Sequence, residues 1–294
     1  MNAHARPEAA PALRREDSEG IAVLTLDRPQ SRNPLSEAML AALAESFTAI
    51  AADRSVKAVV LAAEGPVFCA GHDLKEMSAH RADPDRGRAY FTDVLGRCSG
   101  VMQQITALPQ PVIAAVEGTA TAAGCQLVAA CDLAVASTDA KFATPGVNIG
   151  LFCGTPSVSV GRNVGPKRAL DMLFTGEFID AETALRDGLV SRVVPLAELD
   201  TATMALANRI AAQPPQQIAE GKAMFHRHMT MELGQAYAYA TDAIGIAVTD
   251  SFHLRYDRLR LPLPWAWRSC RWTAPTVAWK SGCRCRSRCA PSRR

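Results

Sequence analysis

The chain has 294 residues, 48% apolar and 21% charged, enough for one large domain with a sizeable core. No apolar run approaches the roughly 18–20 residues that cross a bilayer, and the acidic, Ala/Pro-rich first 20 residues resemble neither a secretory nor a transit leader, so no membrane partner is expected. The net charge of +3 hides an asymmetry: residues 258–294 hold ten of the 32 Lys/Arg and none of the 29 Asp/Glu, which leaves the remainder acidic and argues against nucleic acid as a partner.

Residues 1–18 read as a flexible lead-in. Ile21–Leu26 reads as a strand, ended by Asp27-Arg28-Pro29. Residues 34–53 read as a helix, with Leu40, Leu43, Phe47 and Ile50 on one face. Residues 56–63 form a nearly continuous apolar run, as in a strand buried on both faces. A loop is expected at 64–80, a helix at 86–108, a buried strand at 111–117, a small-residue loop at 118–123, a helix at 124–130 and a strand at 132–136. Strands alternating with helices imply an α/β fold with parallel pairing.

From Gly165 onward the pattern turns helical. Pro166 suits a first helical turn that Gly176 ends, and Asp180 caps a second helix that Gly188 closes. A short strand is expected at 190–194, then helices at 199–212 and 215–248, the latter broken near 229–233. Cys69, Cys98, Cys125, Cys131 and Cys153 are scattered among apolar neighbours, as buried reduced thiols in a reducing compartment would be. The last residues are different in kind, with Trp265, Trp267, Trp272, Trp279 and Cys270, Cys283, Cys285, Cys289. Their composition reads as a tail translated out of frame or a poorly packed extension. The alternatives are a basic, aromatic nucleic-acid-binding tail and a zinc site, although the cysteine spacing is not that of a C-x-x-C ligand pair. Removing the residues after Asp257 is expected to leave the fold intact.

Two loops bear on chemistry. Phe68-Cys69-Ala70-Gly71-His72-Asp73-Leu74-Lys75 follows a buried strand, and Gly118-Thr119-Ala120-Thr121-Ala122-Ala123-Gly124-Cys125-Gln126 joins another to a helix N-terminus. Small residues let a ligand approach the backbone, and a helix N-terminus offers unpaired N–H groups. Such loops at neighbouring strand ends serve either as packing devices or as two donors aimed at one oxygen, an oxyanion hole.

The motif set Asn33-Pro34-Leu35-Ser36, Ala70-Gly71-His72-Asp73-Leu74, Ala122-Ala123-Gly124-Cys125-Gln126, Cys131-Asp132-Leu133-Ala134, Phe142-Ala143-Thr144-Pro145, Thr175-Gly176-Glu177 and Ala184-x-x-x-Gly188-Leu189-Val190 resembles the crotonase (enoyl-CoA hydratase/isomerase) superfamily in order and spacing. The resemblance covers about residues 21–248, and its wording is that of the enoyl-CoA hydratase domain-containing protein 3 type. It implies a ββα spiral core over 19–195, a C-terminal helical trimerisation module over 196–252 and an atypical tail over 253–294. It implies a homotrimer or dimer of trimers that binds acyl-CoA as substrate, with no separate cofactor and no metal.

The resemblance places the thioester carbonyl between the backbone N–H groups of His72 and Ala123, lined by Ala70, Gly71, Asp73, Leu74 and Gly124. Lys75 falls near the CoA phosphates, where the alternative is a solvated loop lysine. Arg28 and Arg32 lie on a loop near the adenine. The family's two catalytic glutamates fall on Gln126 and Gly146, neither of which can transfer a proton. Asn148, with Gln126, is left to orient a water. Glu117 stands several residues before the second loop and Asp73 caps the first, so no carboxylate replaces the pair. Ordinary hydration is expected to be very low and to rise on restoring both glutamates, provided the backbone at Gly146 accepts a side chain. A hydratase/isomerase-like enzyme and a catalytically silent acyl-CoA binder or partner subunit both fit. The expected compartment is cytoplasmic, with the mitochondrial matrix entering by analogy only.

Overall fold

The computed structural model describes residues 11–245; the Trp/Cys-rich tail and the truncation expected after Asp257 lie outside the described residues. The strands are β1 (Leu13–Ser18), β2 (Ile21–Leu26), β3 (Ala58–Ala63), β4 (Val67–Cys69), β5 (Val112–Val116), β6 (Thr119–Thr121), β7 (Leu133–Ser137), β8 (Lys141–Ala143), β9 (Ile179–Asp180) and β10 (Arg192–Val194). The helices are α1 (Glu37–Ala52), α2 (Leu74–Ala79), α3 (Arg88–Ala107), α4 (Ala123–Ala130), α5 (Gly154–Asn163), α6 (Pro166–Thr175), α7 (Ala181–Asp187), α8 (Leu199–Ala211) and α9 (Pro215–His228). Residues 233–245 are helical again after a break.

The strands form two sheets. The larger runs β1-β2-β3-β5-β7-β10 and the smaller β4-β6-β8-β9. Among the described residues, only β1 on β2 and β9 on β8 pair antiparallel. β3 is flanked by parallel partners, with Val60 opposite Val23 on one side and Ile113 on the other. This is the parallel α/β architecture expected from the alternation of elements.

Residues 13–18 depart from the flexible lead-in expected of them. They form an edge strand that pairs residue for residue with β2, Leu13 on Leu26 and Ser18 on Ile21. The signal was masked because Arg14, Arg15, Glu16 and Asp17 make the edge polar, with Arg15 bonded to Asp17. The 64–80 and 118–123 segments are not plain loops either, since β4, α2 and β6 lie within them. Three-residue strands are too short for periodicity to reveal.

One core fills the space between the sheets and α1, α3 and α4, with Phe47, Phe68 and Phe142 fully buried. Each such ring contributes about 1.5–3 kcal/mol on removal from water. A second cluster covers the other face of the large sheet, where Leu199, Leu206, Ala207 and Ala211 of α8 meet Ile21, Val60, Ile113 and Val135. The helical segment expected to begin at 196 as an oligomerisation module therefore first closes the core.

α9 is attached differently, for it contains no fully buried residue. Its Lys222 has a side chain 7% exposed and donates from Nζ to Asp132 Oδ2 at 2.6 Å and to the carbonyls of Ile105 and Gln110 at 2.8 and 3.1 Å. Asp132 also accepts the Val112 N–H at 2.7 Å. One polar clasp thus ties α9 to the end of α3 and the starts of β5 and β7.

Candidate functional site

Parallel pairing of β4 with β6 brings the two small-residue loops side by side, Cys69 opposite Ala120. The first loop is fastened on both flanks. Ala70 N donates to Arg32 O at 3.0 Å, Leu35 N to Gly71 O at 2.8 Å, and Thr121 Oγ1 to Ala70 O at 3.1 Å. Gly71 has φ +96, and a Cβ there would lie 3.1 Å from Ala122 Cβ, 3.2 Å from Thr121 O and 3.4 Å from Ala123 N. The loops meet through Gly71, with His72 on one side of the contact and Ala123 on the other.

Ala122 stands at φ 50, ψ −118, a backbone conformation that costs an L-residue about 1–3 kcal/mol. It is held there by its N–H to Ala143 O at 2.9 Å and its carbonyl, which accepts Gln126 N at 3.0 Å. The strain turns the chain abruptly from β6 into α4, so the first N–H groups of the helix, from Ala123 on, head its positive end. Gly124 permits this turn, because a Cβ there would be 2.1 Å from Cys69 O. α4 therefore starts flush against β4.

The side chains around this backbone are uncharged. Gln126 and Thr144 are buried, and Gln126 Oε1 and Thr144 Oγ1 have no hydrogen-bond partner among the described residues. Burial lowers the His72 pKa below its usual 6.5, only partly offset by the Leu35 backbone, so its ring is neutral at pH 7. Burial pushes the Cys125 and Cys69 thiols up to about 12 and also raises Cys153. These are inert structural thiols, as expected.

Gly146 is buried where a short turn, residues 145–149, leaves β8. A Cβ on it would lie 2.3 Å from Leu151 O and 2.8 Å from Cys153 Sγ. The proviso attached to restoring two glutamates therefore fails, since this backbone accepts no side chain. Asn148 is exposed, and its amide packs over Gly176, 3.1 Å from that residue's Cβ position.

The outer residues are mixed. Arg28 Nη1 donates to the carbonyls of Pro11 and Asp27 at 3.0 and 2.6 Å. Arg32 and Lys75 are exposed, and Leu74 is exposed at the start of α2. Asp73 Oδ1 accepts the N–H groups of Lys75 and Glu76 at 2.8 and 3.3 Å and so caps α2, as anticipated. Glu117 follows β5, its pKa raised by burial and then by Asp200 and Glu64. Recesses of about 290 and 220 Å³ lie between α1 and α3 and include none of these residues.

Two residues of the quoted motifs carry structural roles that sequence reading did not assign. Asn33, fully buried, accepts Arg28 N at 2.7 Å and donates to the carbonyls of Glu64 and Val67 at 2.9 and 2.8 Å, pinning the 28–33 loop to β4. Thr144 is the other; its place after a strand and before Pro145 is the one hint that it stands at a turn.

A family model described as enoyl-CoA hydratase/isomerase matches residues 16–248. The chain is 47% identical over 241 residues to the enoyl-CoA hydratase domain-containing protein 3, mitochondrial, of Rattus norvegicus, spanning 82% of this chain and 79% of that one. It is 35% identical over 234 residues to a short-chain-enoyl-CoA hydratase of Clostridium acetobutylicum, 78% of this chain and 87% of that one. A crystal structure of an enoyl-CoA hydratase of Mycobacterium smegmatis superposes with a TM-score of 0.80 at 51% identity, over 84% of this chain and 95% of that one. The fold is that of the crotonases. The cytoplasmic expectation is corrected, since the Rattus norvegicus relative and those of the same name from Mus musculus and Homo sapiens are named mitochondrial.

Proposed function

The chain belongs to the enoyl-CoA hydratase/isomerase (crotonase) family, whose members bind acyl-CoA substrates, and on that premise we propose that it holds an acyl-CoA thioester carbonyl between the N–H groups of His72 and Ala123. The observation that carries this reading is the contact of the two loops through Gly71 beside the strained Ala122. Two such donors stabilise negative charge on the thioester oxygen, hence an enolate, each by about a hundred- to thousand-fold in rate. The site needs no separate cofactor for that. The names of the vertebrate relatives suggest a mitochondrial setting.

The missing proton transfers favour a second reading beside hydratase-like catalysis. Gln126 and Gly146 supply no acid or base, and the packing of Leu151 and Cys153 around Gly146 supports an acyl-CoA binder without hydratase turnover. Asn148, bound over Gly176, orients a water only if its amide turns inward. Self-association is part of this reading. Ile149, Phe152, Phe174, Phe178, Phe225, Met229, Leu233 and Tyr237 are all exposed, Phe152 and Phe174 with ring centroids 6.3 Å apart, and exposed apolar side chains of this size support an interface.

Titration with butyryl-CoA and with its thioether analogue, which lacks the carbonyl oxygen, tests the donors. The thioether is expected to bind about tenfold or more weakly. Equal affinities would sink the two-donor site. Turnover across crotonyl, longer enoyl and branched acyl-CoAs then separates enzyme from binder.

A further inference from the structure

β4, from which Ala70, Gly71 and His72 continue, is held loosely by its sheet. It has three residues, lies at the sheet edge and is registered on β6 through Val67 and Cys69, with a shift of register between them. A hydrogen bond to a developing charge needs its donor placed to within about 0.5 Å. Two pairings and a register shift do not fix a backbone N–H that closely.

Asn33 supplies what the sheet does not. Its fully buried side chain donates to the carbonyls of Glu64 and Val67, at the two ends of the turn that enters β4, and accepts Arg28 N. Its own N–H closes the 28–33 loop on Arg28 O at 2.9 Å. The turn rests on that loop, since a Cβ at Gly65 would lie 2.8 Å from Pro29 Cβ. The residues flanking Asn33 grip the far end of β4: Arg32 O accepts Ala70 N, Leu35 N donates to Gly71 O, and Leu35 forms a parallel bridge with His72. The strand is therefore clamped before and behind, and both clamps meet at Asn33. The position also demands φ 49, in the left-handed region that asparagine tolerates. Aspartate offers no donor and serine only one, so an amide alone serves two carbonyls and one N–H here.

We infer that Asn33 is a positioning residue of the acyl-CoA site, which sets the place of the His72 N–H by clamping the 28–33 loop to the turn before β4. The inference rests on the acyl-CoA reading above. Without the amide, Glu64 O and Val67 O lose their buried donor and the loop that grips Ala70 and Gly71 comes free of the turn. A thioester carbonyl then meets a misplaced donor. A ligand without a carbonyl oxygen has nothing to lose from it.

Calorimetric titration of the full chain with butyryl-CoA and its thioether analogue tests this. The unmodified protein is expected to bind the ester about tenfold or more tightly. Asn33→Ala and Asn33→Gly should bring that ratio toward one by weakening the ester alone, in proteins shown to be folded by a cooperative thermal melt. Asn33→Gly is the gentler change, because glycine adopts the left-handed conformation at no steric cost. Ile50→Val, a fully buried core change, is the control, since lost stability by itself leaves the ratio intact. A folded Asn33 variant with the unmodified ratio overturns the inference and leaves the acyl-CoA reading standing. A ratio of one in the unmodified protein overturns the two-donor reading and this inference with it. If neither variant folds, deuterium exchange of the Asn33 side-chain amide decides in the unmodified protein. Coupling is reciprocal, so saturating butyryl-CoA should slow that exchange more than the saturating thioether does, and equal exchange overturns the inference.

Discussion

Gly146 decides more about the chemistry than any charged residue. Its hydrogen on the side-chain position faces Leu151 O and Cys153 Sγ, and a methyl group would overlap backbone 2.3 Å away. Gly146→Ala is therefore expected to lower stability by about 3 kcal/mol or more, read as a fall in the denaturation midpoint. Gly146→Glu should fail to fold, so it cannot restore hydration, and a soluble, cooperative Gly146→Glu protein would refute the packing argument. Glu117 gives a pH signature. Its folded pKa is raised, chiefly by burial, so the unfolded chain ionises first as pH rises past the ordinary glutamate range. Stability from this group is complete below that range, falls as pH climbs toward the folded pKa and stays lost at pH 7. Glu117→Gln should raise the melting temperature by about a degree or two at pH 7 and leave it unchanged near pH 4, a small effect because the group is partly solvated.

At the scale of elements, ends and caps were legible and short strands were not. Asp180 accepts Thr183 N at 2.8 Å at the start of α7, as expected, whereas the Ser36 cap that starts α1 by accepting Met39 N at 3.2 Å lies inside the helix expected over 34–53. Gly176 and Gly188 end α6 and α7 in the left-handed conformation the sequence pointed to. These signals act within one turn, so sequence carries them whole. β4, β6 and β8 exist only because each pairs with another. α9 shows the same dependence, since no buried apolar side chain holds it and Lys222 does. Lys222→Ala would take the counter-charge from the largely buried Asp132, leaving it the Val112 N–H and His226 Nε2 at 3.4 Å, at a cost of about 3 kcal/mol. Amide exchange over 215–228 should then run well ahead of global unfolding. Protection of α9 equal to that of the core strands would show that other contacts hold it.

For the whole molecule, the distribution of apolar surface makes the prediction. Phe152 and Phe174 are exposed, their rings tilted with centroids 6.3 Å apart. If copies of the chain associate there, Phe152→Glu with Phe174→Glu should reduce the mass found by light scattering to that of one chain. The melting temperature of the unmodified protein should also rise with concentration. A unmodified protein that is monomeric at high concentration would contradict the self-association reading.

The sequence by itself determined the α/β class, the buried strands, the long helices and the family. Each of these is written in local periodicity, in turn chemistry or in residue identity. Only the tertiary structure decided that 13–18 is a strand, that α8 closes the core, that Gly146 has no room for a side chain, and that the two small-residue loops meet through Gly71 at the strained Ala122. The reason is physical. Pairing partners, steric room and unpaired hydrogen-bonding groups are properties of segments far apart in the chain, and they come into existence only when the two sheets bring those segments together.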